Sequence, residues 1–134
     1  MIIIACVDDK MGMQFNGRRQ SRDRLVYKRI AGIAEGSRLW MNGDSAELFS
    51  WDEDKISVAE DFLSRAAKGD YCFIEDDAAA GCGDKIEKII LYRWNRTYPA
   101  DVVFPLSLEG WKLAEAREFP GYSHEKITEE VYIK

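Results

Sequence analysis

The chain has 134 residues, of which 46% are hydrophobic and 32% are charged. This length is typical of one globular domain with its own core, and the composition excludes a disordered chain. The apolar stretch at residues 1–7 is too short for a membrane span and lacks the basic flank of a signal peptide, so no membrane association is expected.

Strand and helix signals alternate through the first part of the chain. Residues 2–7 (IIIACV) are continuously apolar and mostly β-branched, which predicts a buried strand. Residues 12–17 are predicted to form a loop. Ser21 is the predicted N-cap of a helix, and residues 38–42 predict a second strand. The apolar face of this first helix is expected to comprise Val26, Ile30 and Ile33.

The middle of the chain repeats this alternation. Ser57 and Glu60 have the spacing of a capping box, which predicts a helix that begins there and buries Phe62 and Leu63. Residues 71–74 (YCFI) and 88–94 predict two further strands. Strands separated by helices favour a mainly parallel sheet with helices on its faces.

The end of the chain has a different pattern. Residues 111–118 and 126–133 predict two strands joined by a turn at Pro120 and Gly121, which is typical of an antiparallel hairpin. We find no repeat or linker. The sequence therefore predicts a single α/β domain over residues 1–134, with a mixed, mostly parallel central sheet and a C-terminal antiparallel hairpin.

The net charge is −5, but one segment of the chain is strongly basic. Residues 17–29 contain a single acid, Asp23, and six basic side chains: Arg18, Arg19, Arg22, Arg24, Lys28 and Arg29. A basic cluster on an acidic body favours a small anionic ligand over nucleic acid, which the rest of the surface would repel. The alternative is a solvated helix face.

Cysteine and histidine are both sparse. Three cysteines without metal-ligand spacing (Cys6, Cys72 and Cys82) indicate free thiols in the cytoplasm. The single histidine, His124, does not suffice for a histidine-based metal site, so no metal is expected. Because Gly-x-Ser-x-Gly is absent, a Ser-His-Asp triad is not indicated either, and His124 is predicted to be structural.

Several segments, taken in order, resemble the dihydrofolate reductase family. The opening IIIACVDDKMGM is followed by a loop and then by Asp23 with RLVYKR behind it. RLWMNGDSAELF, EKIILYRW, YPADVVFP, Trp111 and the pair Ser123-His124 continue the similarity over nearly the whole chain. The resemblance implies the fold of that family and a site that binds a flat heterocycle beside NADPH.

The resemblance also implies roles for individual residues. Asp23 corresponds to the catalytic acid that binds the pteridine ring, and partial burial is expected to raise its pKa. Tyr27 would pack on the ring, and Lys28 would hold a substrate carboxylate. Tyr92 lies where the family has a small hydroxyl residue bonded to the acid, so its phenol would replace that partner or fill the ring's space. Without the resemblance, Asp23 is an early-helix acid and Tyr27 a core residue.

Fewer of the family's features are present in the part of the site that would bind NADPH than in the part that would bind the substrate. Asn16 and Gly17 would close over the nicotinamide, with a simple turn as the alternative. Gly43 and Ser45 would contact the cofactor amide. The segment that should carry the adenosine-phosphate contacts is reduced to residues 50–56. Three carboxylates, those of Glu75, Asp76 and Asp77, replace the glycines expected beside the pyrophosphate and argue against tight NADPH binding.

These observations leave three hypotheses. The first is a divergent dihydrofolate reductase-like protein that acts as a non-catalytic binding module with a degenerate nucleotide site. The alternative is an NADPH-dependent reductase of a pterin-like heterocycle. A minor alternative is a protein that binds or processes nucleic acid through residues 18–29. The shortened segment 50–56 also prompts the expectation that a second copy covers an open sheet edge and forms a homodimer.

Overall fold

The computed structural model describes the backbone of residues 1–134 and every side chain except those of residues 52 and 53. These two side chains, part of the shortened segment 50–56, lie outside the described residues. The ten strands are β1 (Ile2–Val7), β2 (Gly12–Phe15), β3 (Arg18–Arg19), β4 (Leu39–Met41), β5 (Ile56–Val58), β6 (Tyr71–Phe73), β7 (Lys88–Arg93), β8 (Val102–Val103), β9 (Lys112–Phe119) and β10 (Ile127–Ile133). The α-helices are α1 (Arg24–Ile33), α2 (Gly43–Ala46) and α3 (Phe62–Arg65), and 3-10 helices occupy Glu47–Lys55 and Gly83–Lys85.

Seven strands form the central sheet in the order β5-β4-β6-β1-β7-β10-β9. Strand β1 pairs in parallel with β6 and β7, and β4 pairs in parallel with β5 and β6. Strand β10 runs antiparallel to both β7 and β9. The predicted α/β class, the mostly parallel sheet and the C-terminal hairpin are confirmed.

Both faces of the sheet are covered, which explains the continuously apolar β1. Alternate residues of a strand point to opposite faces. Ile2 and Ile4 accordingly pack with Tyr27 of α1 in one core cluster. Ile3 and Ala5 belong to a second cluster on the other face. The side chains of Ile3, Ile4 and Ala5 have no exposed surface.

The segment predicted as a loop at residues 12–17 is instead part of a small second sheet, ordered β3-β2-β8. Asn16 and Gly17 connect β2 to β3, and both have positive φ, 56° and 74°. Positive φ at both central positions is typical of the two-residue hairpin turn that Asn-Gly favours. Asn16 and Gly17 therefore form a turn.

The N-cap of α1 is Asp23, so the prediction of Ser21 was wrong. The backbone of Asp23 is extended, with φ −150°, and its side chain accepts a hydrogen bond from the Leu25 amide. Ser21 lies before this cap, and its hydroxyl contacts His124 instead. Val26 and Ile30 are buried, as predicted from their spacing, whereas Ile33 is only partly buried.

The capping box predicted at Ser57 and Glu60 was also wrong. Ser57 lies in β5, where its partner is Trp40 of β4. Parallel pairing with β4 extends this segment, and the Glu60 carboxylate accepts a hydrogen bond from the Gly43 amide at 3.0 Å. The helix that follows is confined to α3, four residues long.

The two ends of the central sheet are β5 and β9. The homodimer expected from an open edge near residues 50–56 stays a prediction. Among the helices of the described chain, none has the length and apolar character needed to cross a bilayer.

Candidate functional site

Asp23 lies between the start of α1 and the turn that joins β9 to β10. Its carboxylate accepts hydrogen bonds from the amides of Leu25 (3.0 Å), Tyr122 (3.0 Å) and Ser123 (2.9 Å). The Ser123 hydroxyl lies 3.2 Å from Asp23 Oδ2, and His124 Nδ1 lies 2.9 Å from the same oxygen. Asp23 is 1% exposed, so the protein itself satisfies this carboxylate.

The pKa of Asp23 is lowered to about 2, which overturns the expected increase. Burial is the largest single influence and acts to raise the pKa, but the hydrogen bonds from Tyr122, His124, Ser123 and Leu25 together outweigh it. A carboxylate held ionised in this way is a poor proton donor near neutral pH.

His124 connects Asp23 to Ser21. Its Nδ1 faces the Asp23 carboxylate, and its Nε2 lies 2.9 Å from Ser21 Oγ. The ionised carboxylate has no proton, so we assign the imidazole proton to Nδ1, which leaves Nε2 as the acceptor for the Ser21 hydroxyl. The His124 ring stacks on Trp94, with centroids 4.6 Å apart and planes 21° apart.

No motif in the sequence indicates this Ser21–His124–Asp23 arrangement. No Gly-x-Ser-x-Gly motif surrounds Ser21, and His124 and Asp23 are separated by 101 positions. Pairing of β9 with β10 places the turn that carries His124, and contacts of that turn with the start of α1 complete the arrangement. His124 is therefore hydrogen-bonded through both ring nitrogens.

The space expected to hold a flat ring is nearly closed. A cavity of about 10 Å³ lies between α1 and the sheet and is lined by Cys6, Met13, Arg19, Ser21, Tyr27, Glu75 and Trp94. Asp23 is not among these residues, so Asp23 and Tyr27 do not face one ring as expected. Burial raises the pKa of the Tyr27 phenol well above its usual value.

Tyr92 does not act as a partner of Asp23. Its hydroxyl donates to Glu129 Oε2 at 2.7 Å, and Arg29 binds the same carboxylate through two nitrogens. The pKa of Glu129 is lowered: burial, the largest influence, acts to raise it, but the contacts with Arg29 and Tyr92 outweigh burial. Tyr92 thus belongs to a buried cluster that ties α1, β7 and β10 together.

The residues predicted for the cofactor lie around an open pocket of about 470 Å³. Gly17 and Ser45 line it, together with Asn42, Arg19 and Glu75, whereas Asn16 and Gly43 are absent from the lining. Arg19 Nε lies 2.7 Å from Glu75 Oε2, and Ser45 Oγ donates to Glu75 Oε1 at 2.7 Å. Ser45, one of the residues expected to contact the cofactor amide, is therefore bonded to the chain's own Arg19–Glu75 ion pair.

The segment after β6 does not form a pyrophosphate site. Phosphate binding of this kind uses the amides at a helix N-terminus. Here β6 leads into turns, and the next helix is the three-residue 3-10 helix Gly83–Lys85. The Asp76 carboxylate accepts a hydrogen bond from the Ala78 amide. The residues present do not fit a dinucleotide pyrophosphate.

A second open pocket, which we call the basic cleft, lies between α1, the 3-10 helix Glu47–Lys55 and the β9–β10 turn. Its volume is about 580 Å³, and its lining comprises Arg22, Arg24, Tyr27, Lys28, Glu47, Leu48, Ser50, Trp51, Tyr122 and Ser123. Arg24 lies over the Tyr122 ring at 4.4 Å. Lys28 lines this cleft, and its contact with a substrate carboxylate stays a prediction.

The basic residues predicted as a cluster at residues 17–29 differ in whether they form ion pairs. Arg19 pairs with Glu75, and Arg29 pairs with Glu129. Within the described part of the chain, Arg22, Arg24 and Lys28 form no ion pair and are exposed. Positive charge therefore remains available at the basic cleft. Among the described residues, no group of three or more His, Cys, Asp or Glu side chains is arranged to hold a metal.

Comparison with known proteins agrees with the architecture. No family model matches the chain, and no curated protein matches it by sequence. Among solved structures, it is similar to dihydrofolate reductase from Enterococcus faecalis complexed with NADP(H) and RAB-propyl, with a TM-score of 0.70 and 12% identity. The match covers 99% of this chain and 95% of that one. The chain therefore has a dihydrofolate reductase-like fold.

Proposed function

We propose that this protein is a ligand-binding protein that keeps the reductase fold without hydride-transfer chemistry, and that it binds a small anionic, aromatic ligand in the basic cleft. The observation that carries the proposal is the cleft itself. Three cationic side chains without ion-pair partners in the described chain, those of Arg22, Arg24 and Lys28, stand beside the exposed rings of Trp51 and Tyr122.

Charge and aromatic surface complement such a ligand in different ways. Guanidinium groups bind carboxylate or phosphate oxygens, and the ammonium of Lys28 adds a point charge. Trp51 is 47% exposed and Tyr122 is 63% exposed, so both rings offer flat apolar surface to an aromatic ligand. The cleft volume of about 580 Å³ lies within the range of small-molecule sites.

Three features support the loss of the reductase chemistry. The space for a flat ring between α1 and the sheet is about 10 Å³. The Asp23 carboxylate is saturated by protein donors, and its pKa is lowered to about 2. The segment 75–77 carries three carboxylates and leads into turns, which disfavours a bound pyrophosphate.

Calorimetric titration with p-aminobenzoyl-L-glutamate tests ligand binding, because this molecule combines an aromatic ring with carboxylates. We expect saturable binding that the double substitution Arg24→Gln, Lys28→Gln weakens by about ten- to a hundredfold, since two charge-assisted contacts are lost. Lys112→Gln, on the exposed strand β9, is the matched control and should bind like the wild type. Equal affinity in all three proteins would contradict the proposal.

The alternative is an NADPH-dependent reductase of a pterin-like heterocycle. It is favoured by the fold, because the similar Enterococcus faecalis enzyme was solved with NADP(H). Oxidation of NADPH followed at its absorbance band, with dihydrofolate present, separates the two functions. Turnover that Tyr27→Ala or Glu75→Ala abolishes would establish the reductase. Absence of NADPH binding together with binding of p-aminobenzoyl-L-glutamate would establish the binding protein.

A further inference from the structure

Ser21, His124 and Asp23 have the connectivity of a nucleophile, a base and the acid that orients the base. The Ser21 hydroxyl lies 2.9 Å from His124 Nε2, and His124 Nδ1 lies 2.9 Å from Asp23 Oδ2. Both distances are within the range that proton transfer requires. Such an arrangement is identified by geometry and not by sequence motif, because it recurs on unrelated folds.

The exposed fraction of the side chain decreases from Ser21 to His124 to Asp23. Nucleophilic catalysis needs this order, with the nucleophile the most accessible of the three. Ser21 is partly exposed, His124 is 7% exposed and Asp23 is 1% exposed. The amides of Leu25, Tyr122 and Ser123 keep the Asp23 carboxylate ionised and in place. The Trp94 ring stacks on the imidazole and fixes its plane. The base is therefore positioned from two sides.

We propose that this Ser21–His124–Asp23 triad hydrolyses small carboxylic esters. Ser21 Oγ attacks the ester carbonyl carbon as His124 Nε2 takes the hydroxyl proton, and the carbonyl becomes a tetrahedral oxyanion. The C–O bond to the alcohol then breaks, and His124 returns the proton to the departing alcohol. Water attacks the resulting acyl-Ser21 with His124 again as base, which releases the carboxylic acid and restores Ser21.

Ser21 itself lines the cavity of about 10 Å³, and a substrate with negative charge would approach its hydroxyl from the side of Arg22. Arg22, the next residue, lines both the basic cleft and the pocket around Glu75. Its backbone N–H has no acceptor in the described part of the chain and is available to the oxyanion of the tetrahedral intermediate. The preference for an anionic ester rests on the binding proposed for the basic cleft, whereas the activity of the triad does not.

A fluorophosphonate probe tests the nucleophile directly, because it forms a covalent bond to an activated serine and releases fluoride. We expect labelling that peptide mass spectrometry maps to Ser21 and that His124→Gln abolishes. Ser64→Ala, which removes an exposed hydroxyl of α3, is the matched control and should be labelled like the wild type. Circular dichroism verifies that each variant is folded.

Hydrolysis of p-nitrophenyl acetate and of p-nitrophenyl hydrogen succinate completes the test. Ser21→Ala should lower kcat/KM for both esters by about 10²- to 10⁴-fold, with the fold verified by circular dichroism. Arg22→Gln should lower kcat/KM for the succinate ester more than for the acetate. An equal effect of Arg22→Gln on the two esters would contradict the role of the cleft and leave the triad standing.

The proposal is overturned if wild type and Ser21→Ala hydrolyse both esters equally and no probe adduct forms on Ser21. In that case the three side chains only fasten the β9–β10 turn to the start of α1. Because the fluorophosphonate is neutral, its reaction does not depend on the charge of the basic cleft. Failure of the triad and failure of the proposed ligand binding are therefore distinguishable.

Discussion

Asp23 joins two segments that are far apart in the sequence, the start of α1 and the turn before β10. Its folded-state pKa of about 2 lies below the ordinary value of 3.8. A depressed pKa means that the ionised carboxylate stabilises the fold at every pH above about 4, and that this stabilisation is lost as the pH falls from about 4 to 2. The shift corresponds to about 2 kcal/mol.

At the residue scale we therefore predict that Asp23→Asn lowers the free energy of unfolding by about 2 kcal/mol at pH 7. The difference between variant and wild type should shrink between pH 4 and pH 2, because the wild-type carboxylate becomes protonated there. Urea unfolding at several pH values measures it. A difference that stays constant down to pH 2 would show that the charge of Asp23 contributes nothing.

At the element scale, Arg29 of α1, which is partly exposed, binds the buried Glu129 of β10, and Glu129 also accepts from the buried Tyr92 of β7. Glu129 is 4% exposed, and Arg29 supplies two nitrogens to its carboxylate. Arg29→Ala leaves a buried charge without its main partner, so we expect a loss of about 2–3 kcal/mol of stability. Arg65→Ala is the control, because its pair with Asp61 is exposed and its loss should change the stability much less. Equal losses in urea unfolding would refute this assignment.

At the scale of the whole molecule, two core clusters lie on opposite faces of one sheet and share β1. Ile3 and Ile4 are adjacent and fully buried, yet they belong to different clusters. We predict that Ile3→Ala and Ile4→Ala each cost roughly 2–5 kcal/mol and that each variant unfolds in one transition, as a single domain should. Far-ultraviolet circular dichroism and tryptophan fluorescence should give coincident curves. Separate transitions for the two faces would contradict a single cooperative unit.

Local sequence patterns predicted six of the seven strands of the central sheet and the fold class. Strands at residues 2–7, 71–74 and 88–94 and the C-terminal hairpin were predicted to within a residue or two, because each is a local apolar run bounded by turn residues. The order of short motifs also predicted the reductase-like architecture that the structural similarity supports. Helix boundaries were predicted less well. Ser57, which was predicted to belong to a capping box, lies in strand β5 because this segment pairs with β4.

The contacts of the polar residues could not be predicted, because they depend on the tertiary structure. Asp23 was expected to face a ring with a raised pKa, and it instead caps α1 and binds the turn at residues 122–124 with a lowered pKa. Tyr92 was expected beside Asp23 and bonds to Glu129. The Ser21–His124–Asp23 chain was not foreseen at all. The physical reason is that hydrogen-bond partners 101 positions apart leave no local pattern, whereas burial of a strand does.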